Sequence, residues 1–198
     1  MNLKSDYAIF EIGTNNFFEI RELTKIVKPS QIFITNVLST HLENFKNKRN
    51  IEREKSDIFR KKYNPLAKIL YFQKKTKEEE LIYNIAKKEK LKKLIKIGKK
   101  EEDGCYIKKV NKLQSKYEIT IKIFNKNYKI TLDEYEETTV SNLIFVLTFF
   151  ILNKINTKII TNNNYKNNKI EGRGSTHNLL LNNCKVRLID QSYNANPE

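Results

Sequence analysis

Apolar and polar positions alternate with different periods along this chain, and each period predicts an element. Tyr7 to Ile12 (YAIFEI) reads as a short strand that delivers Glu11 and then Gly13 at its end. In the following NNFFEIRELTKIVKP, Ile20, Leu23, Ile26 and Val27 recur at helical spacing, and Pro29 closes the helix. Gln31 to Val37 is a β-branched and aromatic run, read as a buried strand, and it empties into a polar turn carrying His41 and Glu43. Strand, helix and strand make a βαβ unit. Its right-handed crossover would make the two strands parallel and bring Glu11 and His41 to one edge of the sheet. Open α/β sheets hold their ligands at that edge. Each residue also has a plain reading, Glu11 as a sheet-edge acid and His41 as a surface loop histidine.

Asn50 is the expected N-cap of a helix IEREKSDIFRKK. Its apolar stripe is Ile51, Ile58 and Phe59, and at about 100° per residue Lys55 projects into that stripe. A lysine there must snorkel out, be held neutral, or be paired. Lys68 to Phe72 is a further strand. Thr76 with Glu79 makes a capping box for a helix through Leu91, built on Leu81, Ile82 and Ile85. Leu94 to Ile97 is the next strand. From Cys105 the period becomes two, in CYIKKV, KYEITIKIF, a turn at Asn125 to Asn127, and YKITL. That pattern is an antiparallel ribbon, which either makes the main sheet mixed or forms a second small sheet. A buried helix, Thr138 to Leu152, follows. Residues 161–169 (TNNNYKNNK) form a polar low-complexity loop, and two last strands lie around Leu179 to Leu181 and Val186 to Asp190.

A formal charge of +15 and a pI near 9.6 would ordinarily point to a polyanion partner. Here the lysines are spread from end to end among many Asn and Ile, the mark of a biased genome rather than of a focused binding face. Cys105 and Cys184 have no CxxC partner, so neither a zinc site nor a disulfide framework is indicated, and a reduced, cytoplasmic compartment is the expectation. No signal-peptide h-region opens the chain. The most apolar stretch, Val140 to Leu152, is interrupted by Ser141, Asn142 and Thr148 and is shorter than the roughly 20 residues a bilayer requires. With five glycines, the sequence contains no G-x-x-x-x-G-K-[ST] phosphate loop.

Several stretches in order carry a family likeness: FEIGTNNFFEIRELTKIVKPSQIFITNVLSTHLENF, then EKSDIF, EGRG and LIDQSYNANP. Together they resemble the central ATP-binding domain of the Mur ligases, in the branch that adds D-alanyl-D-alanine. The likeness spans 1–198 as one incomplete central domain, strong over residues 7–59 and 186–197 and faint between 73 and 135. It implies an α/β, three-layer fold with a mainly parallel sheet plus a small antiparallel sheet. It implies a ligase of peptidoglycan precursor synthesis that makes an amide in two steps: ATP phosphorylates a substrate carboxylate, and an amine then attacks the acyl phosphate. The substrates so implied are a UDP-MurNAc-peptide and D-alanyl-D-alanine, and the cofactors ATP and Mg2+. By match to the family motif, Glu11 and His41 belong to a magnesium site. Lys55 matches the lysine whose carbamate holds a second magnesium, a catalytic role that would explain a lysine facing an apolar stripe. Asn142 matches an asparagine that seats the adenine, Arg173 an arginine near the phosphates, and Asp190 an acid near the ribose.

The departures from the family pattern matter too. By the resemblance, the phosphate loop is expected upstream of Glu11, where this sequence has ten residues, and the flanking amino- and carboxyl-terminal domains are expected to be missing from it. YEETT replaces a Gly-Arg-His-Asn stretch before the buried helix, Gln191 replaces a second acid, and Phe18 and Asn44 stand where glycines are usual. The expectation is a chain inactive alone, with a second polypeptide supplying the missing parts. Two alternatives stay open: a non-catalytic basic domain holding a nucleotide or nucleic acid, and a folylpolyglutamate-synthetase-like ligase. Even lysine spread argues against the first, and the Tyr-Asn-Ala-Asn run against the second. No membrane partner is expected.

Overall fold

The computed structural model describes residues 5–39, 41–73, 80–162, 175–181, 184–190 and 192. A first helix, α1 (Glu19–Val27), leads into strand β1 (Gln31–Ile34). The short α2 (Leu42–Phe45) and α3 (Lys48–Ser56) follow, and a 3-10 turn (Asp57–Phe59) ends that unit. Then come β2 (Ile69–Gln73), α4 (Glu80–Lys88) and β3 (Lys93–Gly98). Three longer strands, β4 (Cys105–Lys112), β5 (Tyr117–Ile123) and β6 (Lys126–Leu132), precede the long helix α5 (Glu137–Leu152). A single turn, α6 (Lys158–Thr161), and the hairpin β7 (Ser175–Leu181) and β8 (Cys184–Asp190) complete the described chain.

Strands β1 to β6 form one sheet in sequence order. The pairings from β1 through β4 are parallel, and those of β4 with β5 and β5 with β6 are antiparallel. The ribbon therefore extends the main sheet, and β7 with β8 is the small separate antiparallel sheet. Alternation along β2 separates two cores. Tyr71 faces a cluster with Ile97, Ile121, Ile144 and Leu147 beneath α5. Leu70 and Phe72 face the opposite cluster with Ile51 of α3 and Ile82 of α4. Helix, sheet and helix thus form three layers, and each fully buried large side chain contributes about 1.5–3 kcal/mol. Among the described residues no helix is long and apolar enough to cross a membrane.

Three expectations change. Tyr7 to Ile12 forms no strand. β1 is the sheet edge, Ile9 is 90% exposed, and Tyr7 meets the Phe149 ring at 5.3 Å. An apolar run that covers no core face gains nothing from pairing, so Glu11 is exposed on a segment without regular secondary structure. The cap of α3 is Asn47 rather than Asn50: its side chain accepts from the Asn50 backbone N–H at 3.0 Å, while Asn50 Nδ2 donates to the Phe45 carbonyl. The helix also stops at Ser56, so Ile58 and Phe59 fall in the 3-10 turn. Thr76 and Glu79, and residues 163–169 of the polar loop, lie outside the described residues, and Thr161 closes α6 instead of opening that loop.

Helix α1 has no capping side chain of its own, and its N-cap, Phe18, is left-handed at φ 74. The cap comes from α3. Glu54, 3% exposed, accepts from Phe18 N–H at 2.8 Å and from Ile20 N–H at 2.9 Å. A carboxylate at a helix N-terminus satisfies orphan donors and complements the helix dipole. Burial nevertheless raises its pKa above the ordinary carboxylate range, against the lowering effect of the two N–H groups. One turn on, Arg21 bonds Asp57 at 3.3 Å and lies 4.5 Å from the Phe18 ring centre and 4.4 Å from that of Tyr63. In Glu54→Gln an amide NH2 must meet one of the two N–H donors, so urea unfolding should show a loss of about 1–3 kcal/mol. Unchanged stability would mean that the cap does not hold α1 on α3.

Candidate functional site

Beyond the carboxyl end of β1 come residues 35–39 and then His41, and two expected site residues belong to this stretch or touch it. Lys55, on α3, donates from Nζ to the Asn36 carbonyl at 2.9 Å. Burial pushes its amine below the ordinary lysine range. Of the three outcomes open to a lysine on this face, the side chain takes a backbone carbonyl as partner rather than snorkelling to water. His41 ends the loop with φ 54, and its carbonyl accepts from Asn44 and Phe45 N–H at 3.0 Å each, which starts α2. Its ring is 43% exposed, with Nδ1 3.6 Å from the Glu43 carboxylate.

The loop after Gly13 reaches the same edge. Glu19 folds back on it, accepting from Asn15 N–H at 2.7 Å, Asn16 N–H at 3.0 Å and Asn16 Nδ2 at 2.9 Å. These donors, the Asn16 amide foremost, hold its carboxyl down at about 2. Asn44 of α2 then donates to the Asn15 carbonyl at 2.9 Å. The segments bearing Glu11, His41 and Lys55 are thereby tied to one another through Asn44 and Asn36. Among the described residues no three His, Cys, Asp or Glu side chains cluster as a metal cage.

A half-open pocket of about 190 Å3 lies further along this edge, where β2 and β3 end beneath the first turns of α5. Gln73 and Gly98 close the two strands, and Ile107, Tyr135, Glu137, Ser141 and Ile144 line the rest, with Lys99. Gln73 Nε2 donates to Ser141 Oγ at 3.0 Å, and Lys99 pairs with Glu137 at 2.7 Å. Asn142, the next residue on α5, is exposed and does not line the pocket. Asp190 ends β8 and accepts from Ser192 N–H at 3.0 Å. Arg173 lies outside the described residues. Gln73 and Ser141 escaped the sequence reading: Ser141 looked like a mere interruption of an apolar helix, and nothing local marks a glutamine at a strand end.

The family model of the Mur ligase middle domain matches residues 1–150, and the chain belongs to that family. Similar curated proteins are UDP-N-acetylmuramoyl-tripeptide--D-alanyl-D-alanine ligases. That of Rickettsia prowazekii is 43% identical over 56 residues, which is 28% of this chain and 12% of the relative. That of Borreliella burgdorferi is 39% identical over 56 residues, again 28% and 12%. Among solved structures, a MurF from Acinetobacter baumannii superposes with a TM-score of 0.80 at 21% identity, covering 100% of this chain and 41% of that one. MurF ligase from Thermotoga maritima in complex with ADP superposes at 0.72 with 18% identity, covering 97% and 43%. The chain thus spans well under half the length of these structural neighbours, which share its fold.

Burial of Lys55 has a measurable sign. A lysine whose pKa is lowered on folding binds fewer protons in the folded than in the unfolded state, so its contribution to stability rises with pH between the two values. Against Lys55→Met, the parent protein should therefore gain stability as pH is raised from 7 into the ordinary lysine range, as followed by urea unfolding. A pH-independent difference would show that the amine is not desolvated.

Proposed function

We propose that this chain supplies the nucleotide-holding middle part of an ATP-dependent ligase of peptidoglycan precursor synthesis, one that joins D-alanyl-D-alanine to a UDP-N-acetylmuramoyl-tripeptide. The observation that carries the reading is a desolvated lysine, Lys55, held against the β1 loop that ends in His41, in a chain of the Mur ligase middle domain family. The names of the curated relatives supply the substrates, and the ADP complex of the Thermotoga maritima neighbour supports a nucleotide. The chemistry is phosphorylation of a carboxylate followed by attack of an amine on the acyl phosphate. A phosphate-gripping glycine-rich loop, which these 198 residues do not contain, would come from polypeptide outside them, here or on a second chain. ATP and a nucleotide-linked substrate would place the work in the cytoplasm.

Glu11, His41 and Lys55 are the residues proposed to hold magnesium. The oxygens of Glu11 and of a carbamylated Lys55 suit it, because magnesium keeps several waters and takes only one or two protein carboxylates beside phosphate oxygens, while the His41 nitrogen is a softer donor than this ion usually takes. Glu11 offers an exposed oxygen and His41 a half-exposed nitrogen. Lys55 offers a carboxylate oxygen once carbamylated, and burial favours the neutral amine that reacts with carbon dioxide. When bound, magnesium neutralises charge on the transferring phosphoryl group. Asn142 is proposed to contact the adenine from its exposed face of α5, Arg173 the phosphates, and Asp190 the ribose.

Calorimetry tests this with magnesium and ADP, with and without added polypeptide bearing the phosphate loop. Magnesium-dependent binding in either arm supports the reading, and binding only with the added polypeptide assigns the ligase to two chains. Absence of binding in both arms removes it. His41→Ala should raise the magnesium needed for half-maximal ADP binding by about tenfold; an unchanged requirement takes His41 out of the site.

A further inference from the structure

We propose that the free edge of β1 pairs with the same edge of a second copy of this chain, antiparallel about a two-fold axis at Phe33, so that the two sheets join into one. The inference is independent of the ligase reading. Among the described residues β1 pairs with β2 alone. The Ser30 carbonyl accepts from Ile69 N–H at 3.2 Å, and in this parallel register the backbone groups of Ile32 and Ile34 also turn toward β2. The N–H and C=O of Phe33 are thereby directed at the open side. Groups left in that way are a template for another strand.

Charge and register decide which strand fits. A net charge of +15 makes most faces of two copies repel. The opposite edge, β6, is guarded in the usual way, by exposed Lys126 and Lys129 and by α6 beside it. β1 reads Gln-Ile-Phe-Ile and carries no charge. Its Ile32-Phe33-Ile34 core is also a palindrome, so it is complementary to itself. With the axis at Phe33, each Ile32 stands opposite the Ile34 of the other copy, and Phe33 stands opposite Phe33 and exchanges both backbone hydrogen bonds with it. Each face of the sheet then continues across the seam. The isoleucines extend the core shared with Ile51 of α3. Phe33 extends the aromatic group in which it stacks on Tyr71 at 4.4 Å and meets Phe149 at 5.8 Å. Phe33 is 40% exposed and Tyr7, on the other side of Phe149, is 46% exposed, so apolar surface beside the strand becomes covered as well.

The test is sedimentation equilibrium of the 198-residue chain at concentrations up to about 1 mM, with hydrogen exchange of the Phe33 amide followed over the same range. A reversible dimer is expected, and protection of that amide should rise with the dimer fraction. Phe33→Lys, which sets two ammonium groups directly opposite each other, should weaken dimerisation by about tenfold. Phe33→Cys, with the exposed Cys184 replaced by serine, should form an intermolecular disulfide on oxidation, because residues opposed in a hydrogen-bonded pair have Cα atoms about 5.5 Å apart. If the Phe33 variants fail to fold, amide exchange in the parent chain carries the test. A chain that stays monomeric, or a dimer whose Phe33 amide exchanges as fast as in the monomer, overturns the proposal. Protection of that amide only when phosphate-loop polypeptide is added to a monomeric chain also overturns it and gives the edge to that polypeptide.

Discussion

The arrangement of this edge depends on one buried carboxylate. Glu54 spans from α3 to the first turn of α1 and satisfies two N–H groups that α1 cannot satisfy itself. A buried carboxylate is costly unless it is hydrogen-bonded, and here the bonds come from a helix terminus whose dipole favours negative charge. Phe18 can then hold the left-handed turn that a glycine would adopt more easily. With α1 docked on α3, Glu19 can gather the Asn15 and Asn16 amides, and Asn44 can take the Asn15 carbonyl. Lys55 follows Glu54 by one residue, so about 100° of helix rotation turns it from α1 to the β1 loop. One turn of α3 thereby sets both the scaffold and a site residue.

The sheet divides the rest of the labour. Its parallel half ends in loops that gather polar side chains, and its antiparallel half widens the apolar floor on which α5 lies. Because α5 starts above the ends of β2 and β3, one of its faces meets the Gln73 pocket while Asn142 remains exposed. The edge therefore has two chemically distinct parts. Lysine and histidine lie beside β1, and beside β2 and β3 the Gln73 amide and the Ser141 hydroxyl share a partly apolar wall with the Lys99–Glu137 ion pair.

Several features were legible from local pattern. Ile20 and its helical neighbours, the run at β1, the alternating strands from Cys105 and the apolar α5 follow from periodicity, because side-chain periods of 3.6 and 2 are properties of the backbone. The stretches from FEIGTNN to HLENF and EKSDIF likewise pointed to the family whose model matches residues 1–150. Tyr7 to Ile12 misled because a strand pattern states which residues could pair, and pairing needs a core face to cover. Asn50 misled because two asparagines three residues apart both suit a cap, and only the turn at Phe45 to Asn47 decides between them.

By itself, then, the sequence determined the α/β class, the strands and main helices from Glu19 onward and the family, since each depends on neighbours within a few residues. The tertiary structure decided that Glu54 caps another helix, that Lys55 meets the Asn36 carbonyl, that the ribbon joins the main sheet, and that Gln73 meets Ser141. Gln73 and Ser141 stand 68 positions apart. Contacts at such separations are set by how the layers pack, and no local period encodes them.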